Sequence, residues 1–176
     1  MATSRNPVEP ATRQKARCLR TPEMPKIIDA NFVEAFPGSG SIGLEALSRG
    51  AKNIQFMEKD RDALKTLKEN ISQTDPLSCI VYGGNSFENI NAVVAKLKKM
   101  GEDAYFYVDP PFSIREGMEE IYDKTMNLIK SLPKESVKMI IIEHMTGLEI
   151  NDTLGPFHII KSKKFGNTSL TYLRAE

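Results

Sequence analysis

The chain has 176 residues, 40% of them hydrophobic, so it is long enough for one domain with a full core and too short for two ordinary domains. Its 24 basic and 23 acidic residues leave a formal net charge of +1, which excludes a strong overall attraction to nucleic acid or membrane. Any polyanion must therefore be held by a local patch. No apolar stretch approaches the roughly 20 residues of a membrane span, and the first residues lack the apolar core of a signal peptide.

The two cysteines and two histidines are isolated along the chain. Cys18 and Cys79 fit neither a disulfide framework nor a metal-ligand spacing, which predicts reduced thiols in a cytoplasmic protein. For His144 and His158 the sequence favours a packing or surface role over a chemical one. It therefore predicts no bound metal.

The first 26 residues differ from the rest in composition. Their six basic residues outnumber two acids, and four prolines interrupt the segment. We predict a basic arm, partly helical or flexible, at residues 1–26, followed by a single domain at residues 27–176. Two interpretations of the arm stay open: a solvated segment, or a basic segment that contacts phosphate.

Strand-like apolar runs then alternate with segments of helical period. A short run at residues 26–30 comes first, and the longer predicted strands are residues 31–36, 53–58, 78–83, 104–109 and 137–143. The predicted helices are residues 41–48, 61–72, 86–100 and 116–132. This alternation is typical of an α/β fold with a parallel sheet and helices on both faces.

The end of the chain breaks the alternation. Residues 157–174 contain two strand-like runs around a turn at Gly166 and Asn167, with no room for a helix. This pattern predicts a C-terminal antiparallel hairpin. With the five longer runs, it gives a mostly parallel seven-stranded sheet.

A glycine-rich loop follows the first long strand. In "EAFPGSGSIGLEAL", Gly38, Gly40 and Gly43 form a G-x-G-x-x-G pattern that opens a helix, where glycines allow a tight turn and close approach of a ligand. Glu58 closes the next predicted strand, and its carboxylate can accept hydrogen bonds from both hydroxyls of a ribose. The order of strand, turn, helix, strand and acid favours a nucleoside site over glycines that only shape a turn.

This half-site fits a dinucleotide or S-adenosylmethionine, because both contain adenosine. After the third strand, Asn85 can hydrogen-bond an adenine edge, cap the helix that begins at Ser86, or do both. The sequence leaves these alternatives open.

The fourth predicted strand ends in Asp109, Pro110, Pro111 and Phe112. The prolines hold an extended path, and the aromatic ring offers a face to a planar base. Asp109 and the carbonyl of Pro110 can accept hydrogen bonds from an exocyclic amine. A nicotinamide-dependent dehydrogenase has no use for this motif, so the segment favours methyl transfer to an amine.

These motifs together resemble a known family. The segments "GSGSIGLEALSRGA", "EKDRDALKTLKENI" and "VDPPF", in this order, are similar to the RsmD-type 16S ribosomal RNA guanine-N2 methyltransferases, and the resemblance runs from residue 31 to the end, including "FGNTSLTYL". It implies a Rossmann-like methyltransferase fold that binds S-adenosylmethionine without metal. It also implies an enzyme that acts on ribosomal RNA, either naked or in an assembled small subunit, and we expect a cytoplasmic monomer.

The resemblance also implies roles for individual residues. The cofactor would contact Glu34, Phe36, Gly38, Ser39, Gly40, Gly43, Glu58, Asn85 and Ser86. Within that set the glycine loop would line the methionine part, Glu58 the ribose and Asn85 the adenine. The target guanine would be held by Asp109, Pro110, Pro111 and Phe112.

The chain departs from the family at three places. Glu34 replaces the usual aspartate, Pro37 replaces a small residue and removes a backbone N–H, and the N-terminal arm has Glu9 where the family has arginine. Two alternatives therefore remain beside the main prediction: an amino-methyltransferase acting on a DNA or RNA adenine or on a protein amide, and a non-catalytic RNA- or nucleoside-binding relative. Glu143, at the end of the fifth predicted strand, is interpreted either as a site residue or as a capping or solvent-facing acid.

Overall fold

A computed structural model describes residues 16–22, 27–111 and 120–176. Phe112 and most of the predicted basic arm therefore lie outside the described residues. The strands are β1 (Asn31–Ala35), β2 (Asn53–Glu58), β3 (Cys79–Gly83), β4 (Ala104–Val108), β5 (Val137–Met145), β6 (Thr153–Leu154), β7 (Phe157–Phe165) and β8 (Thr168–Ala175). The α-helices are α1 (Ser41–Ser48), α2 (Arg61–Ser72), α3 (Ser86–Met100) and α4 (Ile121–Ser131), and short 3-10 helices span Ala16–Arg20, Pro76–Ser78 and Lys134–Ser136.

All the strands belong to one sheet in the order β3-β2-β1-β4-β5-β8-β7-β6. The five strands β1 to β5 run parallel, while β8 pairs antiparallel with β5 and with β7. The mostly parallel sheet and the C-terminal hairpin are thus confirmed. The predicted count of seven strands is wrong by one, because β6 adds a two-residue strand to the outer edge of β7.

The described part of the short apolar run at residues 26–30 is not a strand. In the described part of that run the chain turns: Asp29 has a φ of 60° and the Ala30 N–H donates to the Ile27 carbonyl at 3.1 Å. A residue at positive φ cannot continue a strand. The strand begins instead at Asn31.

Helix α2 shows how local sequence determines an element. The Asp60 side chain accepts hydrogen bonds from the backbone N–H groups of Asp62 and Ala63, which caps the helix start. Leu67 and Ile71 are buried against the sheet, and charged residues occupy the opposite face. The predicted bounds of the helix match the structure.

The core has two halves, one on each face of the sheet. Helices α1 and α2 cover one half, which contains Phe32, Phe56 and Tyr107, and helices α3 and α4 cover the other. Cys18 and Leu19 are buried in the first half, so the described end of the N-terminal arm packs on the domain. The predicted boundary at residue 26 stays a prediction. Within the part of the chain that the structure describes, no helix is long and apolar enough to cross a membrane.

At the amino ends of the central strands, polar side chains form hydrogen bonds with one another. The Asn31 Nδ2 donates to Glu102 Oε2 at 2.7 Å and to the Asp103 carbonyl at 3.1 Å, and the Asn31 Oδ1 accepts from Asn53 Nδ2 at 3.0 Å. Lys52 Nζ lies 2.7 Å from Glu102 Oε1. The bonds from Lys52 and then from Asn31 lower the pKa of the Glu102 carboxyl below its ordinary value.

Candidate active site

The predicted site residues lie at the opposite edge of the sheet, where the parallel strands end. The chain builds β1, β2 and β3 outward and then crosses to β4 on the other side of β1. The chain after β1 and the chain after β4 therefore lead to helices on opposite faces of the sheet, which makes this point the expected position of a crevice. In open α/β sheets such a crevice is the usual place for a ligand.

The glycine loop after β1 is shaped by positive backbone angles. Phe36 and Gly38 have φ values of 64° and 56°, and the Gly40 N–H donates to the Pro37 carbonyl at 2.9 Å. A Cβ added at Gly40 would overlap the Leu67 side chain, whereas a Cβ added at Gly38 would meet no atom within 4 Å. Gly40 therefore serves packing, and open space lies beside Gly38.

Gly43 and Glu34 join helix α1 to the sheet. The Gly43 N–H donates to Glu34 Oε2 at 2.7 Å, and the Glu34 side chain is almost fully buried, with 3% of the residue exposed. An added Cβ at Gly43 would lie 2.5 Å from Phe56 Cε1 and 2.7 Å from Ile54 Cγ2. The structure gives both residues a role in loop geometry, and their predicted contact with a cofactor stays a prediction.

The Glu58 carboxylate ties the glycine loop to the end of β2. Its Oε2 accepts from the Gly38 N–H at 2.9 Å, and its Oε1 accepts from the Asp60 N–H at 2.8 Å. A carboxylate oxygen has two acceptor positions, so each oxygen retains capacity for a further donor such as a ribose hydroxyl. These two hydrogen bonds fix the Glu58 carboxylate beside the glycine loop.

Asn85 and Ser86 begin helix α3. The Asn85 Oδ1 accepts from the Phe87 N–H at 3.0 Å, so the predicted capping role is confirmed, and the Ser86 hydroxyl donates to the Met57 carbonyl at 2.9 Å. The Phe36 and Phe87 rings meet edge to face with centroids 5.5 Å apart. Asn85 is exposed and Ser86 is buried. The predicted adenine contact of Asn85 stays a prediction.

Asp109 continues the sheet one residue beyond β4. Its backbone N–H donates to the Ala35 carbonyl at 3.4 Å, which brings Asp109 beside Phe36 and the glycine loop. Asp109 and Pro111 are half-buried, and Pro110 is buried. Three of the four residues predicted to hold the target base thus stand at the crevice, and the fourth, Phe112, lies outside the described residues.

Sequence reasoning missed a buried pair beside Asp109. The Tyr107 hydroxyl donates to Glu143 Oε2, and Glu143 is only 6% exposed, so the interpretation of Glu143 as a solvent-facing acid is wrong. Only the adjacency of β4 and β5 reveals the pair. The available signal was a tyrosine two residues before Asp109 and an acid ending the next predicted strand.

The tyrosine hydroxyls near this pair are hard to ionise. Burial raises the pKa of Tyr107 well above its ordinary value, and the nearby charges of Glu143 and Asp109 raise it further. Burial also raises the pKa of Tyr122, with added contributions from the same two carboxylates. Both tyrosines therefore act as hydrogen-bonding groups and carry no charge near neutral pH.

His144 and the two cysteines show no sign of chemical activation. His144 contacts the Met145 carbonyl through Nδ1 at 3.0 Å and the Thr171 hydroxyl through Nε2 at 2.9 Å, and burial lowers its pKa. Both cysteines are free thiols. Burial raises the pKa of Cys18, and burial followed by the charge of Asp75 raises that of Cys79 to about 11. In residues 16–22, 27–111 and 120–176, no group of three or more His, Cys, Asp or Glu side chains is placed to hold a metal ion.

The sheet order, the glycine loop and the closing hairpin define a Rossmann-like fold of the methyltransferase class. The model of the family described as "Conserved hypothetical protein 95" matches residues 17–174, and the chain belongs to this family. This family match and the named relatives below together confirm the resemblance to RsmD-type methyltransferases noted from the sequence.

Named relatives agree with this assignment. The chain is 36% identical over 106 residues to "Ribosomal RNA small subunit methyltransferase D" of Escherichia coli K12. The aligned segment covers 60% of this chain and 48% of that protein. It is 27% identical over 139 residues to "Putative rRNA methyltransferase YlbH" of Bacillus subtilis, covering 78% and 72%. The solved structure of "Putative methyltransferase yhhF" from Escherichia coli superposes with a TM-score of 0.70 at 25% identity, over 96% of this chain and 88% of that one. The match to the first relative spans about half of its length.

Proposed function

We propose that this protein transfers a methyl group from S-adenosylmethionine to the exocyclic N2 amine of a guanine in small-subunit ribosomal RNA. The observation that carries the proposal is the hydrogen bond from the Asp109 N–H to the Ala35 carbonyl. It joins an amine-accepting segment directly to the end of the strand that leads into the glycine loop. The site of the methyl-accepting base and the site of the methyl-donating cofactor would then share one crevice.

Two structural observations support the binding of S-adenosylmethionine at the glycine loop. The position of a Cβ on Gly38 faces open space, and the Glu58 carboxylate is held by two backbone N–H groups with acceptor capacity remaining. When bound, the cofactor supplies a methyl group on a positively charged sulfur, which is already activated for transfer. The residues that would hold it are Gly38, Ser39, Gly40, Glu58 and Asn85.

The chain's own contribution to the reaction would be positioning and charge stabilisation. The N2 lone pair of guanine is drawn into the ring, so the amine is a poor nucleophile. Hydrogen bonds from the amine to Asp109 and to the Pro110 carbonyl would orient it and stabilise positive charge as that charge develops on nitrogen. The nitrogen would gain the methyl group as the carbon–sulfur bond of the cofactor breaks, S-adenosylhomocysteine would leave, and the proton lost from nitrogen would pass to solvent water.

Ribosomal RNA is proposed as the substrate because the curated relatives carry names of ribosomal RNA methyltransferases. A base enters such a pocket only after leaving its stack, and an aromatic side chain can replace part of the lost stacking. Phe112 is the residue that we assign to this role. The basic residues of the arm would hold the phosphates, since the net charge of +1 supplies no attraction over the whole protein.

Methyl transfer can be measured with labelled S-adenosylmethionine on undermethylated small subunits and on naked 16S RNA, followed by nucleoside mass spectrometry. We expect N2-methylguanosine as the product. Label recovered as N6-methyladenosine would overturn the choice of base. Binding of S-adenosylhomocysteine without any transfer to either substrate would favour the non-catalytic alternative.

A further inference from the structure

We propose that Glu143, held in place by Tyr107, contacts the Watson–Crick edge of the target base and selects guanine over bases without a hydrogen at N1. This inference rests on the proposed function and names the residue that determines its base specificity. It accounts for a choice that the Asp109-Pro110-Pro111 segment leaves open. That segment accepts hydrogen bonds from any exocyclic amine.

The register of the sheet brings Glu143 beside Asp109. Val108 of β4 pairs with Ile142 of β5 in a parallel ladder, so Asp109 and Glu143 occupy the next row. Neighbouring strands are about 4.8 Å apart in a sheet, which sets the spacing of the two backbones there. Residues two apart along a strand share a face, so both carboxylates lie on the face of Tyr107.

The pKa directions of two tyrosines agree with this placement. The charges of Asp109 and Glu143 both raise the pKa of Tyr107, and both raise the pKa of Tyr122. Of these groups, Tyr107 and Glu143 are joined directly by a hydrogen bond.

Glu143 is a buried carboxylate. The residue is 6% exposed, and its neighbours on this face include Tyr107, Ile141 and Leu170. Removing a carboxylate from water is costly, and an apolar side chain of similar size at this position would avoid that cost. A charged group retained in such a place beside a ligand crevice is a candidate functional residue.

Hydrogen-bond chemistry specifies which base a second carboxylate favours. An ionised carboxylate only accepts hydrogen bonds. Guanine presents two adjacent donors, the N1 hydrogen and the N2 amine, so it can donate to Glu143 and Asp109 together. Adenine presents its amine next to an N1 lone pair, and that lone pair would face the Glu143 carboxylate without a hydrogen between them.

Tyr107 acts on the base through Glu143 and is therefore a positioning residue. Its ring is fully buried and its hydroxyl donates to one oxygen of the carboxylate. This bond limits the rotation of the glutamate side chain. Replacing the hydroxyl with hydrogen in Tyr107→Phe keeps the packed ring and frees the carboxylate.

The test uses a target RNA in which 2,6-diaminopurine replaces the modified guanine. This base keeps the N2 amine but has a lone pair at N1. We expect the wild-type protein to prefer guanine by at least about 10-fold in kcat/KM, the size of one good base contact. In Glu143→Gln the amide can donate to N1, so we expect the preference to fall toward unity or to reverse.

Matched variants separate specificity from folding. Glu102→Gln removes an acid at the amino edge of the sheet, and we expect its base preference to equal that of the wild type. Tyr107→Phe should lower kcat more than it changes KM and should weaken the preference for guanine severalfold. This second variant keeps the proposal testable if Glu143→Gln does not fold, which thermal unfolding and S-adenosylhomocysteine binding would reveal.

The outcomes distinguish the two proposals. If the wild type methylates guanine but folded Glu143→Gln retains the full preference over diaminopurine, only the specificity role of Glu143 is overturned. If Glu143→Gln does not fold and Tyr107→Phe retains the full preference, the role is overturned as well. If the wild type binds S-adenosylhomocysteine but methylates neither base, the proposed function fails and this inference fails with it.

Discussion

The central strands carry similar polar residues at their amino ends and at their carboxyl ends, but with different partners. We call these two ends the amino edge and the carboxyl edge of the sheet. At the amino edge, Asn31 and Glu102 bond to neighbouring side chains and to the adjacent backbone, and these groups satisfy one another. At the carboxyl edge, Glu34 and Glu58 instead accept hydrogen bonds from backbone N–H groups of the glycine loop. Side chains that fix the backbone of the glycine loop prepare it for a ligand, whereas side chains that pair with one another stabilise the fold alone.

This contrast predicts that substitutions at the two edges separate function from stability. Changes at the carboxyl edge should alter catalysis or ligand affinity, because the groups there shape the crevice. Changes at the amino edge should alter only the free energy of unfolding. Strand β4 offers the sharpest comparison because it has an aspartate at each end.

The largest expected effect is that of Asp109→Ala. Loss of the acceptor for the target amine should reduce kcat by about 10²- to 10³-fold, the range seen when a group that stabilises the transition state is removed. Binding of S-adenosylhomocysteine should be retained. Asp103→Ala, at the exposed amino end of the same strand, is the control and should leave turnover unchanged. Retained turnover in Asp109→Ala would contradict the assigned role.

Gly43→Ala should destabilise the fold and weaken cofactor binding. The added methyl would lie 2.5 Å from Phe56 Cε1 and 2.8 Å from Glu34 Oε2. Overpacking of this kind costs about 1–3 kcal/mol, and the better helix propensity of alanine returns about 1 kcal/mol of it. Urea unfolding and titration with S-adenosylhomocysteine would measure the two effects.

Gly101→Ala is the matched control for that prediction. Gly101 has a φ of 66° and open space where a Cβ would stand. Its substitution should cost about 1 kcal/mol through backbone strain alone. Cofactor affinity should not change, and an equal loss of affinity in both variants would contradict the role given to Gly43.

Asn31→Ala should cost about 1 kcal/mol of unfolding free energy, the ordinary net value of a hydrogen bond in a partly buried network. Denaturant unfolding measures this loss. Turnover per folded molecule should equal that of the wild type because Asn31 lies at the opposite edge from the crevice. A fall in kcat would show that the amino edge is not functionally separate.

The smallest expected effect concerns pH. Burial lowers the pKa of His144 below its ordinary value of 6.5, so the unfolded chain binds a proton at a pH where the folded protein does not. Stability should therefore fall as the pH drops through about 6.5. His144→Gln, which carries no titrating group, should lose less stability than the wild type between about pH 7.5 and pH 5.5. Equal losses in the two proteins would contradict this account.

Local patterns predicted most of the elements. Helices α1, α2 and α3 begin and end where the sequence indicated, because Asp60 and Asn85 cap two starts and Gly101 ends the third helix. The glycine loop and Glu58 were equally visible, since their order along the chain defines their arrangement. Local propensity and tertiary structure agree in these segments.

What the sequence did not reveal depends on distant pairing. Tyr107 and Glu143 are 36 residues apart, and their bond exists only because β4 lies next to β5. Strand β6 has two residues and pairs with β7, so it leaves no periodic pattern. The turn at Ile27–Ala30 is apolar like a strand but contains Asp29 at positive φ.

The central claim is that the carboxyl edge binds S-adenosylmethionine and not a dinucleotide. Calorimetric titration of the purified protein with S-adenosylhomocysteine and, separately, with NAD tests it most directly. We expect micromolar binding of the first and none of the second, with Glu58→Ala weakening the binding. Binding of NAD alone, or of neither ligand, would contradict the account, and the second outcome would implicate Pro37 in a loop that has kept its fold and lost its ligand.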